Sequence, residues 1–151
     1  MAPRPKPFDG IVVTSKVARR RWRWRERFRL GTTPLLTIDC ENAFPSGCRV
    51  RVAVKVEPAG YITLEPVHPE DDVVDKDGVP TWESHERVLG GFGRHEVTSE
   101  TFKVKLVLAD REGAPVLPHP ERITITVLKK ENAEDDIVVI GEFVHKIRIR
   151  K

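Results

Sequence analysis

Between residues 19 and 30 the chain alternates with a period of two. Arg19, Arg21, Arg23, Arg25, Arg27 and Arg29 take the odd positions, and Arg20, Trp22, Trp24, Glu26, Phe28 and Leu30 take the even ones. A helix would scatter these arginines around its circumference, whereas a strand sets all six on one side and sends the tryptophans and Phe28 to the other. Extended, the row of guanidinium groups covers ~34 Å. Their mutual repulsion calls for solvent or a counter-charge on one side, and the aromatic groups call for a covering layer on the other. A chain containing this segment is therefore constrained to a layered β fold with a basic surface.

The same period recurs along the rest of the sequence. Ile11–Val17 is rich in β-branched residues and follows an Asp9-Gly10 turn signal, and Gly31-Thr32-Thr33-Pro34 separates the arginine segment from a further extended run at 35–40. Val50, Val52, Val54 and Val56 alternate with Arg49, Arg51, Lys55 and Glu57. Phe102, Val104, Leu106 and Leu108 alternate with Lys103 and Lys105, Ile123, Ile125 and Val127 with Arg122, Thr124 and Thr126, and Ile147 and Ile149 with Lys146, Arg148 and Arg150. Each pattern predicts a strand buried on one face. We expect Cys48–Glu57 and residues 61–65 to form a hairpin across Ala59-Gly60. Residues 66–80, with Pro66, Pro69, Pro80 and a group of acids, should be a long solvated loop, and residues 82–93 irregular with room for one helical turn.

With about eight strands and no sustained helical period, the chain reads as all-β: a two-sheet antiparallel β-sandwich, immunoglobulin-like or jelly-roll-like. The spacing of strands and turns resembles immunoglobulin-like and fibronectin-like sandwiches. Cys40, Cys48 and the tryptophans, however, lack the antibody arrangement of a tryptophan between widely separated bridging cysteines. No repeat of 20 to 50 residues marks a solenoid or propeller. Residues 1–8 read as an extended basic arm and residues 9–151 as one sandwich domain. Its core should include Trp22, Trp24, Phe28, Val50, Val52, Val54, Phe102, Val104, Leu106, Ile123 and Ile125.

Charge is distributed unevenly. Residues 1 to 30 hold ten Lys or Arg against Asp9 and Glu26, whereas the remaining 121 residues hold 16 Lys or Arg against 21 Asp or Glu. No run approaches the ~20 apolar residues of a membrane span, and Met1 is followed by Ala-Pro-Arg-Pro-Lys-Pro where a secretory signal would be apolar. The expectation is a soluble, cytoplasmic protein. Cys40 and Cys48, with seven residues between them, are expected to be reduced, half-buried thiols that face each other across a loop.

The candidate binding residues are Arg19, Arg21, Arg23, Arg25, Arg27 and Arg29. The row suits an acidic protein surface, such as the acid-rich segment 66–80 of another copy, so a protein partner or self-association is the first expectation. It also suits nucleic acid or another polyanion, since guanidinium groups pair bidentately with phosphate. Arg49, Arg51 and Lys55, and again Lys146, Arg148 and Arg150, widen the stripe if their strands are neighbours. Asp71, Asp72, Asp75 and Asp77 before Gly78 suggest calcium, but an EF-hand loop would need an acid at Val73 and Glu at Ser84. His68, His85, His95, His119 and His145 show no paired zinc spacing, and no serine sits in a Gly-x-Ser-x-Gly setting. No catalytic residue, metal or cofactor is expected. The first reading is a noncatalytic structural or protein-interaction module, the second a polyanion-binding module, and an enzyme assembled from dispersed loops stands third.

Overall fold

The computed structural model describes residues 6–8, 10–17, 20–21, 27–42, 47–58, 60–89, 99–130 and 136–151. Among the described residues there are thirteen strands: β1 (Lys6–Phe8), β2 (Ile11–Val17), β3 (Arg20–Arg21), β4 (Arg27–Arg29), β5 (Leu35–Asn42), β6 (Cys48–Glu57), β7 (Ile62–Pro66), β8 (Asp72–Lys76), β9 (Val79–Glu83), β10 (Arg87–Leu89), β11 (Ser99–Leu108), β12 (His119–Lys130) and β13 (Val138–Arg150). One sheet has the order β1-β2-β5-β11-β7, with β3 also on β2. The other runs β4-β13-β12-β6-β9-β8, with β10 also on β6. The chain is an all-β sandwich of two sheets.

Burial follows the sequence alternation. In β6, Val50, Val52 and Val54 are fully buried while Arg51 between them is exposed. In β11, Phe102, Val104, Leu106 and Leu108 face inward, and in β12 so do Ile123, Ile125 and Val127. The inner faces of the two sheets meet in one apolar cluster that includes Phe28, Trp82, Ile147 and Ile149. Every residue of the expected core that the structure describes is buried; Trp22 and Trp24 lie outside the described residues.

Three local expectations need correction. First, β6 and β7 form no hairpin: β6 pairs with β9, β10 and β12, whereas β7 pairs with β11 in the opposite sheet. Their connection crosses the sandwich because Tyr61 is drawn inside. Its amide donates to Glu121 Oε2 at 3.3 Å and its hydroxyl donates to the Pro115 carbonyl. Any side chain at Gly60 would displace the Glu121 carboxylate at this crossing, since a Cβ there would stand 2.6 Å from Glu121 Oε2.

Second, residues 66–80 are not a long loop but contain β8 and the start of β9. Asp77 (φ 54°) and Gly78 (φ 81°) are both left-handed and close a two-residue turn between Lys76 and Val79, the geometry an Asp-Gly pair favours. Pro80 is tolerated because it lies past the end of the β6 pairing. Third, residues 82–89 take no helical turn. Trp82, fully buried, sits in register with Val54 on one side and Val73 on the other, and Arg87–Leu89 returns to β6 as β10. Lys6–Phe8, assigned from sequence to the basic arm, pair antiparallel with β2.

Two predictions follow from this packing. Ile125 is fully buried between β6 and β13, so Ile125→Ala should lower unfolding free energy by about 2–5 kcal/mol in a denaturant titration. Glu121 is buried, and desolvation raises its pKa above the ordinary 4.5 although the Tyr61 amide and Arg111 oppose the rise. A carboxyl whose pKa rises on folding favours the native state while protonated, and that contribution is lost as pH climbs from the ordinary value through the folded one. Glu121→Gln should therefore be more stable than the parent at neutral pH, with the difference shrinking as pH is lowered through this window in parallel denaturation curves.

Candidate functional site

The basic surface is organised around the edge strand β4. It runs parallel to β13, with Arg27 opposite Arg148, Phe28 opposite Ile149 and Arg29 opposite Arg150. Phe28 and Ile149 are buried and Arg29 is exposed. The end of β4 is fastened by Leu30 N–H donating to Arg150 O at 2.8 Å. Gly31, at φ 84°, turns the chain across to β11, where its amide donates to Leu108 O at 2.8 Å.

Of the six candidate arginines, only the backbone of Arg21 and Arg27 and the full residue Arg29 are described; Arg19, Arg23 and Arg25 lie outside the described residues. Arg21 pairs with Lys16 in the six-stranded sheet and Arg27 with Arg148 in the seven-stranded one, so these two arginines belong to different sheets.

Cations continue from β4 across its neighbours. Lys146 and Arg148 are exposed on β13, and Arg122 on β12 stands opposite Lys146. The next position across the sheet is Glu57 on β6, whose carboxylate pairs with Lys55 at 3.2 Å. Among the described residues, no carboxylate lies within 4 Å of the cationic groups of Arg29, Arg122, Lys146, Arg148 or Arg150. Arg150 Nε is buried without a hydrogen-bond partner. Beyond β12 the charges are matched: Glu86 lies 3.7 Å from Arg49 and 2.9 Å from Lys130, and Arg51 Nε donates to Ser84 O. The stripe thus widens from β4 through β13 and β12, while Arg49 is engaged by Glu86.

The far edge of the same sheet is acidic. On the β8–β9 hairpin Asp72, Asp75 and Asp77 are exposed, and Lys76 pairs with Glu83 at 2.8 Å. Asp72 accepts from the Val73 amide at 2.8 Å, and Asp71 is buried against His85, so these acids do not converge as a calcium loop would require.

Reactive groups are mostly interior. Cys40 on β5 and Cys48 on β6 are not joined in a disulfide and are buried in opposite sheets, where half-buried thiols were expected. Burial pushes the Cys40 thiol up to about 12, with smaller contributions from Asp39 and Cys48, so it is held as an inert thiol. Ser15 Oγ and His145 Nε2 meet at 3.0 Å between the sheets, but Ser15 is only 2% exposed. The fold also brings His68 and His85 together with their rings stacked at 4.2 Å. Seventeen positions separate them on two different connections, so no local spacing could signal the pair.

Among the described residues no helix is long and apolar enough to cross a membrane. No protein-family model matches the chain, and no curated protein matches it. Solved structures do. A cohesin module from a Clostridium perfringens family 33 glycoside hydrolase is similar with a TM-score of 0.51 and 11% identity, over 91% of this chain and 96% of that one. BcpA, the major pilin subunit of Bacillus cereus, has a TM-score of 0.50 and 12% identity over 92% of this chain. The alkylpurine DNA glycosylase AlkC of Pseudomonas fluorescens, bound to DNA containing an abasic site analog, has a TM-score of 0.45 and 14% identity over 92% of this chain. The chain spans 40% of the pilin's length and 30% of the glycosylase's. At such identities the cohesin and pilin likenesses establish the β-sandwich fold and nothing about partners.

Proposed function

We propose that this chain is a noncatalytic β-sandwich module that joins a protein assembly edge to edge, the basic β4 edge of one copy meeting the acidic β8 edge of the next. The observation that carries this reading is the separation of charge across one sheet. β4 and β8 are the two ends of the seven-stranded order, with cations that meet no carboxylate among the described residues at the first and exposed aspartates at the second. Opposite charges on two different edges make a heterologous contact, which grows head to tail into a ring or a filament. Edge strands also present unpaired backbone groups that a second copy can complete. The buried thiols and the interior position of Ser15 favour a role without chemistry. The reading agrees with the use of a similar sandwich as a major pilin subunit.

Sedimentation across protein concentration tests it. The protein should form concentration-dependent oligomers that weaken with added salt. Arg29→Glu with Arg148→Glu should leave monomers, as should Asp72→Lys with Asp75→Lys, and an equal mixture of the two double variants should associate again. A monomer at every concentration would end the proposal. Co-purified nucleic acid, lost with the arginine changes and unaffected by the aspartate changes, would reassign the basic face to phosphate.

A further inference from the structure

The geometry points to a divalent-metal site formed by His68, Glu70 and His85, with Asp71 orienting His85. It is independent of the edge-to-edge reading. One nitrogen or carboxylate oxygen from each of the three lies within 4.8 Å of the other two. A tetrahedral zinc ion with bonds of ~2.0–2.1 Å needs its ligand atoms roughly 3.3 Å apart, so the groups must close by up to about 1.5 Å. The Glu70 side chain, 68% exposed, is free to make that movement, and His68 sits on the same surface loop.

His85 is the fixed member. It follows Ser84, which stands in for a strand residue between β9 and β10. The Ser84 amide donates to Val52 O at 2.9 Å, the Val52 amide donates to Ser84 Oγ at 2.9 Å, and the Ser84 hydroxyl donates to His85 O at 3.0 Å. The Asp71 carboxylate, its side chain only 3% exposed, then takes both the His85 amide at 2.8 Å and His85 Nδ1 at 2.6 Å. A proton held on Nδ1 leaves the lone pair of neutral His85 on Nε2, which faces Glu70 Oε2 at 3.9 Å. A carboxylate that fixes the tautomer and direction of a histidine in this way is the usual outer support of a metal ligand.

His68 is held by its own loop. The Asp71 amide donates to His68 O at 3.1 Å and the Glu70 amide donates to His68 Nδ1 at 3.1 Å. In that tautomer Nδ1 carries the lone pair, and a metal takes it from an amide in an exposed stretch that can turn to water. Two imidazoles and one carboxylate suit zinc or a similar first-row divalent ion, and three protein ligands leave a fourth position for water or a partner's side chain. The metal would tie the chain crossing from β7 in the six-stranded sheet to the β9–β10 connection in the other.

Calorimetric titration of EDTA-treated protein with zinc chloride tests the site, with cobalt absorption as a second readout. One zinc ion per chain is expected, together with a rise in melting temperature and visible cobalt bands. His68→Ala should lose all three while keeping the parent's metal-free melting temperature and circular dichroism. Asp71→Asn should weaken zinc by about 10–100-fold. Absence of one-to-one binding would overturn the site. So would binding of undiminished affinity in both His68→Ala and His85→Ala. Should His85→Ala fail to fold, His68→Ala and Glu70→Gln carry the test.

Discussion

Two apolar faces, one from each sheet, hold this fold together, and nearly every other feature is a consequence of which residues they use. The inward valines of β6 and the inward Phe102, Val104 and Leu106 of β11 are the central strands of that seam. Because side chains alternate along a strand, committing one set to the interior commits its neighbours to water. Burying Phe28 and Ile149 side by side obliges Arg29, Arg148 and Arg150 to share the other face, at the outermost strands of the sheet. Charge at the edge is thus a by-product of register.

The polar groups inside mark the places where the chain leaves a ladder, at two changes of sheet and, at Ser84, within the seven-stranded sheet. Glu121 receives the Tyr61 amide where β6 gives way to β7, and Ser84 receives the Val52 amide where β9 gives way to β10. Asp71 takes two donors from His85 beside the crossing from β7 to β8. A chain leaving a ladder exposes amides with no strand partner, and each of these side chains supplies the missing acceptor. The histidine and carboxylate cluster grows directly out of this repair, since it is the pinning of His85 that aims its second nitrogen outward.

Much of the architecture was legible because burial here is one-sided. Val50, Val52 and Val54, Ile123 and Ile125, and Phe102 through Leu108 declare strand and inward face together, and all lie where the period puts them. The errors fell where local signals compete. Prolines and acids in 66–80 suggested a loop, yet the Asp77-Gly78 pair and the valines around it form a hairpin. Ala59-Gly60 suggested a tight turn within one sheet, yet burial of Tyr61 carries the chain to the other. Pairing partners are set by long-range packing, which periodicity cannot report. For the same reason the approach of His68 to His85 had no sequence signature, and of the arginine row the described residues show Arg29 exposed beside buried Phe28.

The parallel pairing of β4 with β13 joins residues about 120 positions apart in the chain. Ribosomal synthesis is directional, so β4 emerges long before the strand that must hold it. Until residue 150 is free of the ribosome, Phe28 has no Ile149 to lie against and the strand has no ladder. The nascent chain therefore carries its positive edge unformed, and any contact that depends on that edge waits until β13 has emerged.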